Sequence, residues 1–276
     1  MRLTPRSARL AGAAVAASLA IVLAGCSAPA PAIPEGVEDL GTINVGALAT
    51  PAGDILKFVS GNLAADAGLT INFTEFTDYN TPNTALSDGS IDANLFQNAT
   101  FLATYNDSTG SDLVSLGEIY LPSAAFYSDS VTSLDDLKDG AKIAIPNDPT
   151  NEGRALKLLA SQGLIETTEN PTVLGDITDN PHDFEFVEIE NATLAQSVPD
   201  VDTAFVTISF ALPAGLTSTQ AILIEGADSP YYNILATTPK LEKDPRVLAL
   251  KQLLLDPKTQ AFINDTWGGL VIPVAG

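Results

Sequence analysis

Cysteine, histidine, methionine and tryptophan each occur once in the 276 residues, and 13 basic side chains stand against 34 acidic ones. A lone thiol, Cys26, leaves no disulfide framework to build. One histidine, His182 in a "NPHDF" turn, leaves zinc sites and nucleophile–histidine triads short of their parts, and no G-x-S-x-G elbow is present. The acids form no recognisable glycosidase pair, and the cluster Asp135-Asp136-Asp139 lacks the ligand spacing of a calcium loop. The expectation is therefore a protein that is not an enzyme and holds neither metal nor cofactor. Scarcity of Lys and Arg argues equally against nucleic acid, whose binding needs basic patches that neutralise phosphates.

What is present begins with the chain's first residues. Arg2, Arg6 and Arg9 precede an apolar run from Leu10 to Leu23, and acids are absent, which is the pattern of an export signal over residues 1–25. The run is shorter than the roughly 20 residues of a membrane-spanning helix. It ends in "LAGC", the pattern of a bacterial lipoprotein processing site, so Cys26 is expected to be acylated, by palmitate among other chains, and to become the mature N-terminus. Each buried CH₂ contributes about 0.8 kcal/mol, so several acyl chains hold a protein at a bilayer that one chain would leave. Residues 26–40 then read as the lipidated cysteine and a Pro/Ala-rich tether ("SAPAPAIPEG").

The three signal arginines leave ten basic residues facing all 34 acids, a formal charge of about −24 on the mature chain. That charge favours solubility and repels anionic lipid, so contact with the bilayer is expected through Cys26 and little else.

From Thr42 onward the hydrophobic period alternates between two and 3.6. "TINVGAL", "LTINFTEFTD", "SIDANLF", "DLVSLGEIYLPSAAFYS", "AKIAI", "DFEFVEIE", "DTAFVTISFAL", "AILIEG" and "NILATT" read as strands, the fourth as one long strand or a pair. "GDILKFVSGNLAADAG", residues 82–89, "ATFLATYND", "SLDDLKDG", residues 193–198 and a terminal segment from Asp244 to about Trp267 read as helices. Asp148-Pro149 supplies an N-cap and a good N1 residue for a helix running to about Gly163. Alternating strands and helices imply α/β architecture with mostly parallel sheets.

That last helix raises a chemical question, because it sets Arg154 in its first turns. A helix N-terminus carries roughly half a positive charge and free N–H groups, so a cation there needs an anion nearby. Two readings stay open from the residues alone: a surface pair with Glu152 or Asp148, or a ligand carboxylate.

Several blocks, "DYNTPN" (Asp78–Asn83), "GSIDANLFQN" (Gly89–Asn98), "AIPNDPTNEGRAL" (Ala144–Leu156), "DITDNP" (Asp176–Pro181), "ALPAGL" (Ala211–Leu216) and the tail "GGLVIPV", together resemble the NlpA lipoprotein family, the methionine-binding lipoproteins of ABC importers. The resemblance spans the mature chain in order. It implies a type II periplasmic-binding-protein fold of two α/β lobes with a ligand cleft between them: residues 41–125 in the first lobe, 126–216 in the second, and 217–276 returning to the first. It further implies a membrane-anchored extracytoplasmic protein whose partners are an amino-acid ligand, an ABC permease and the bilayer.

Carried onto this chain, the family's ligand-binding positions are Tyr79, Phe96, Asn98, Asn147, Asn151, Arg154 and Ser209. The aromatics would cradle the ligand's apolar part, and Arg154 would offer its fork to the carboxylate. Departures fall on this same set. Asn98 and Phe101 stand where the family usually has His and Tyr, and "TISFA" (Thr207–Ala211) replaces "NGNYA", so that Ser209 and Phe210 stand for Asn and Tyr. Serine offers one short hydroxyl where asparagine offers a donor and an acceptor. A changed ligand, whether another amino acid or a dipeptide, or a sensing role on the same fold, is the alternative these departures keep open.

Overall fold

The computed structural model describes residues 36–274. The export signal, Cys26 and the greater part of the tether lie outside them.

Two β-sheets organise the chain. In the first, strand β1 (Gly41–Leu48) lies between β2 (Leu69–Phe76) and the two-residue β3 (Ala93–Asn94), parallel to both, and helices α1 (Asp54–Asn62) and α2 (Pro82–Ser87) make the connections. Helix α3 (Ala99–Thr109) leads to β4 (Val114–Pro122). One residue later, at Ser123, the chain leaves this sheet and becomes β5 (Ala124–Tyr127) of the second. There β6 (Lys142–Pro146), helix α4 (Pro149–Ser161), a small ribbon of β7 (Glu166–Thr167) and β8 (Ile177–Asp179), β9 (Glu185–Ile189), helix α5 (Asn191–Ser197), β10 (Thr203–Thr207), helix α6 (Ile208–Ala211) and β11 (Ala221–Ile224) follow. The chain then returns as β12 (Asn233–Thr237), α7 (Pro245–Leu254), α8 (Pro257–Trp267) and β13 (Val271–Pro273).

The sheet orders are β13-β4-β12-β3-β1-β2 and β11-β5-β10-β6-β9. In the second sheet β10, β6 and β9 run parallel, while β5 is antiparallel to both its neighbours. Only four of the nine pairings in the two sheets are parallel, fewer than the alternation implied. The physical reason is the double crossing: β4–β5 and β11–β12 change sheets without a helical crossover, so they enter each sheet against the parallel strands. Sheet membership also moves the expected boundaries. The first crossing falls at Ser123 rather than near Phe126, and the return lies beyond Ile224 rather than at about Leu216, because β11 pairs with β5.

Three segments differ from the expected elements. "SLDDLKDG" holds only one 3₁₀ turn, Leu134–Asp136, in place of a helix. "DTAFVTISFAL" is a strand only to Thr207, after which Ile208–Ala211 turn helical; a continuous apolar run does not distinguish the two. The terminal segment is two helices, since Asp256 caps the second with its carboxylate accepting from Lys258 N and Pro257 sits in its first turn.

Helix α4 forms as its sequence dictates. Asp148 is extended and its Oδ1 accepts from Asn151 N at 2.9 Å, Pro149 opens the helix, and Gly163 follows its end at φ +72°. Its buried face, Ala155, Leu156 and Leu159, packs on Ile143, Ile145, Phe126 and Phe205 of the second sheet. Gly153 is a packing requirement, for a Cβ there would lie 2.0 Å from Pro171 O. Helix α4 is thereby held against its sheet with its N-terminal turn directed at the first sheet's elements, α3 among them.

Candidate functional site

Five of the seven expected residues converge. Tyr79, Phe96, Asn98, Asn151 and Arg154 line one small void, about 10 Å³, together with Gln97, Phe101 and Asn233. Asn151 and Arg154 come from α4 beside the second sheet and the others from elements of the first, so the void lies between the two sheets. Asn147 is exposed and does not line it; its backbone N–H donates to Ile189 O at 3.0 Å, prolonging the pairing of β6 with β9. Ser209 is buried but faces a separate cavity of about 180 Å³ with Leu48, Phe76, Phe210 and Pro213. Cys26 lies outside the described residues.

The apolar wall is a cluster of Leu48, Tyr79 and Phe96 with Phe101 and Phe210 packed against it. Tyr79 is tilted to Phe210 at 4.9 Å between ring centroids and to Phe96 at 5.8 Å, and Phe96 meets Phe101 edge-on at 5.8 Å. The Tyr79 hydroxyl reaches across the cleft to Thr207 Oγ1 at 3.0 Å. Burial raises the pKa of this phenol, against the opposing pull of the Thr207 and Ser209 hydroxyls and the Arg154 charge, so it stays neutral. A second contact across the cleft joins the Thr104 and Thr150 hydroxyls at 3.4 Å.

Arg154 is buried, with its side chain 3% exposed, and its partner is neither of the acids nearest in sequence. Nε donates to Glu225 Oε1 at 2.9 Å, Nη2 donates to Glu225 Oε2 and also to Pro122 O at 2.9 Å, and the guanidinium lies 4.8 Å from the centre of the Tyr231 ring. A buried charge needs such pairing, and a bidentate arginine–carboxylate pair is the strong form of it. These bonds use Nε and Nη2. Nη1 has no partner among the described residues.

The amides around the void are similarly half-used. Asn98 caps α3, its Oδ1 accepting from Phe101 N at 2.9 Å, which leaves its Nδ2 without a partner among the described residues. Asn151 donates Nδ2 to Asp148, and Asn233 donates Nδ2 to the Tyr120 hydroxyl at 3.1 Å, which leaves both Oδ1 atoms as acceptors. Gln97 is fixed by a buried net with Asn83 and Asn94 at 2.6 to 3.0 Å. The lining therefore offers N–H donors from Arg154 and Asn98 and carbonyl acceptors from Asn151 and Asn233, framed by aromatic rings. A molecule bearing an anion, a cation and an apolar tail is what such a lining complements.

Sequence reasoning missed Glu225, Asn233 and Thr207 as site residues. Glu225 lies 71 positions from its partner, beyond any local pattern. Asn233 gave a weak signal as a polar residue opening the otherwise apolar "NILATT". His182, expected in a solvated loop, is part-exposed there and bonded through Nδ1 to Asp139 at 3.0 Å.

The NlpA lipoprotein family model matches residues 43–275. A relative in Vibrio cholerae described as a probable D-methionine-binding lipoprotein MetQ is 37% identical over 80% of this chain and 81% of its own. The D-methionine-binding lipoprotein MetQ of Escherichia coli is 37% identical over 93% of each chain. Among solved structures, a nutrient binding protein from Burkholderia cenocepacia bound to methionine superposes with a TM-score of 0.81 at 35% identity, covering 84% of this chain and all of that one. With its family matched over nearly the whole described chain and its fold shared with a substrate-binding protein, this protein belongs to the NlpA lipoprotein family.

Proposed function

We propose that this chain is the binding component of an ABC importer, anchored to the outer face of a bacterial membrane through acylated Cys26, and that it takes methionine or a closely related amino acid between two lobes. One lobe comprises residues 41–122 with 233–274, the other residues 124–224, joined by the two crossings. The names of the relatives support this reading. Its single structural support is the polar lining of the inter-sheet void: helix α4 brings one donor and one acceptor, the first sheet's elements bring another of each, and aromatic rings surround them.

Arg154 Nη1 and Asn98 Nδ2 receive the ligand's carboxylate, and Asn151 Oδ1 and Asn233 Oδ1 its ammonium. Tyr79, Phe96 and Phe101 cover the side chain. Bonds to the charged ends are worth roughly 1.5 to 3 kcal/mol each, enough that a few of them with apolar burial reach micromolar affinity, about −8 kcal/mol. A void of about 10 Å³ admits no amino acid, so entry requires the lobes to part, breaking the Tyr79–Thr207 bond and the Thr104–Thr150 contact. Closure on the ligand then presents one rigid surface to the permease.

A second reading, the same fold with a different amino acid or a dipeptide, draws on one observation: the short Ser209 hydroxyl acts on the Tyr79 phenol and does not itself line the void, where the family's asparagine would reach the ligand. Mass spectrometry of the purified protein for a co-purified solute, followed by calorimetric titration with both enantiomers of methionine, other amino acids and dipeptides, separates the two. Binding of methionine at micromolar or tighter supports the first reading, and preferential binding of another amino acid or dipeptide supports the second. A chain that binds none of them sinks both.

A further inference from the structure

Arg154 faces two ways. On one side its guanidinium edges the inter-sheet void; on the other it borders an outer groove formed by Lys157, Gln162 and the returning segment Gly226–Tyr231. Glu225 lies only on the groove side, 7% exposed, at the end of β11. It is itself fixed: its backbone N–H donates to Ala124 O at 2.9 Å, and Ala124 N donates to its Oε2 at 3.3 Å. Pro122 O, the remaining acceptor for Arg154, ends β4. Both crossings between the sheets therefore grip the same guanidinium.

The electrostatic consequence is specific. Arg154 alone would make the void positive and welcome any small carboxylate. With Glu225 bonded to Nε and Nη2, the pair carries no net charge, and the Asp148 carboxylate that caps α4 beside Asn151 acts with Arg154 on Tyr79 in the void's wall. A lone anion entering this setting meets one free N–H edge in an otherwise neutral-to-negative field, whereas a solute that brings its own cation does not. Accepting the binding reading above, we infer that Glu225 is a positioning and charge-selecting residue: it aims Arg154 Nη1 into the void and restricts the site to ligands whose carboxylate is balanced by an ammonium.

Calorimetric titration of methionine against 4-(methylthio)butanoate, the same molecule without its amino group, tests this. The wild-type protein should prefer methionine by about 100-fold, since an unbalanced charge and unpaired acceptors are both penalised. In Glu225→Gln the preference should shrink at least about tenfold, with the anion's own affinity rising, because the neutralising charge is gone. Glu225→Asp keeps the charge but cannot reach both nitrogens: it should retain the wild-type preference while methionine affinity falls about fivefold or more. This second variant decides the matter if the first does not fold. An unaltered preference in a folded Glu225→Gln, or a collapsed preference or unaltered affinity in Glu225→Asp, overturns the role of Glu225 while leaving the binding reading intact. Wild-type protein that binds neither compound overturns both.

Discussion

Glu225 and Glu152 are both acids buried beside α4, and their surroundings are opposite. Glu225 spends its two oxygens on Arg154 and on the N–H of Ala124. Glu152, 1% exposed, sits two residues from Arg154 on the same helix, yet its Oε1 has no hydrogen-bond partner. The charges that act on it are those of further acids: Glu188, Asp148 and Asp176. Burial first, then the Glu188 charge, push its carboxyl up to about 7, with the Leu174 N–H pulling the other way. One acid is paired with a cation; the other, with none beside it, is pushed toward neutrality. Burial alone says little about an acid's role. The partner decides whether it supplies charge to a site or drains stability from the fold.

Breaking the paired acid should give the largest effect. Arg154→Ala strands Glu225 as a buried unpaired charge and removes the carboxylate's donor. Unfolding by urea at pH 7 should register a loss of roughly 3 to 5 kcal/mol. Methionine titration should show affinity lower by about 100-fold or more, for a lost charge-assisted pair. A variant of near wild-type stability would mean that the Arg154–Glu225 pair is not the buried link described.

Relieving the unpaired acid should do the reverse. Because the folded protein binds the Glu152 proton more tightly than the unfolded chain does, wild-type stability falls as pH rises from the ordinary 4.5 through about 7. Glu152→Gln keeps the shape and removes the charge. It should stabilise the protein at pH 8 by on the order of 2 kcal/mol and have little effect at pH 4, seen as converging melting temperatures on acidification. A gain equal at both pH values would trace to packing, and the charge account would fail.

The same contrast marks how far the sequence could be read. Helix α4 was legible because Asp148-Pro149 and the placement of Gly163 are local signals, and the inward Arg154 followed from its blocks of family resemblance. Tyr79 and Phe96, named as the aromatic cradle from the same blocks, line one void, and Phe101, named there as a departure, lines it with them. Identity of the counter-ion was not legible: Glu152 and Asp148 were the near acids in sequence, and the structure pairs Arg154 with Glu225 across a strand crossing. The break between α7 and α8 was legible and overlooked, since Asp256-Pro257 repeats the cap pattern of Asp148-Pro149. Where Thr207 ends a strand and Ile208 begins a helix, no local signal exists, because the apolar run satisfies both and tertiary packing chooses.

The finest test of the comparison leaves Glu152 itself in place. Glu188 lies exposed on β9, makes no hydrogen bond through its side chain among the described residues, and acts on Glu152 only through its charge. Glu188→Gln should therefore lower the Glu152 carboxyl from about 7 toward its ordinary value, by less than burial raises it. The expected result is a small stabilisation above the folded titration range, less than half that of Glu152→Gln, vanishing at pH 4. Because Glu188 is exposed, added salt at about 1 M, where the Debye length is about 3 Å, should erase most of the difference between wild type and variant. The gain from Glu152→Gln should survive that salt, because burial and not distant charge is its main cause. If salt removed both gains alike, Glu152 would be answering to surface repulsion, and its contrast with Glu225 would reduce to exposure.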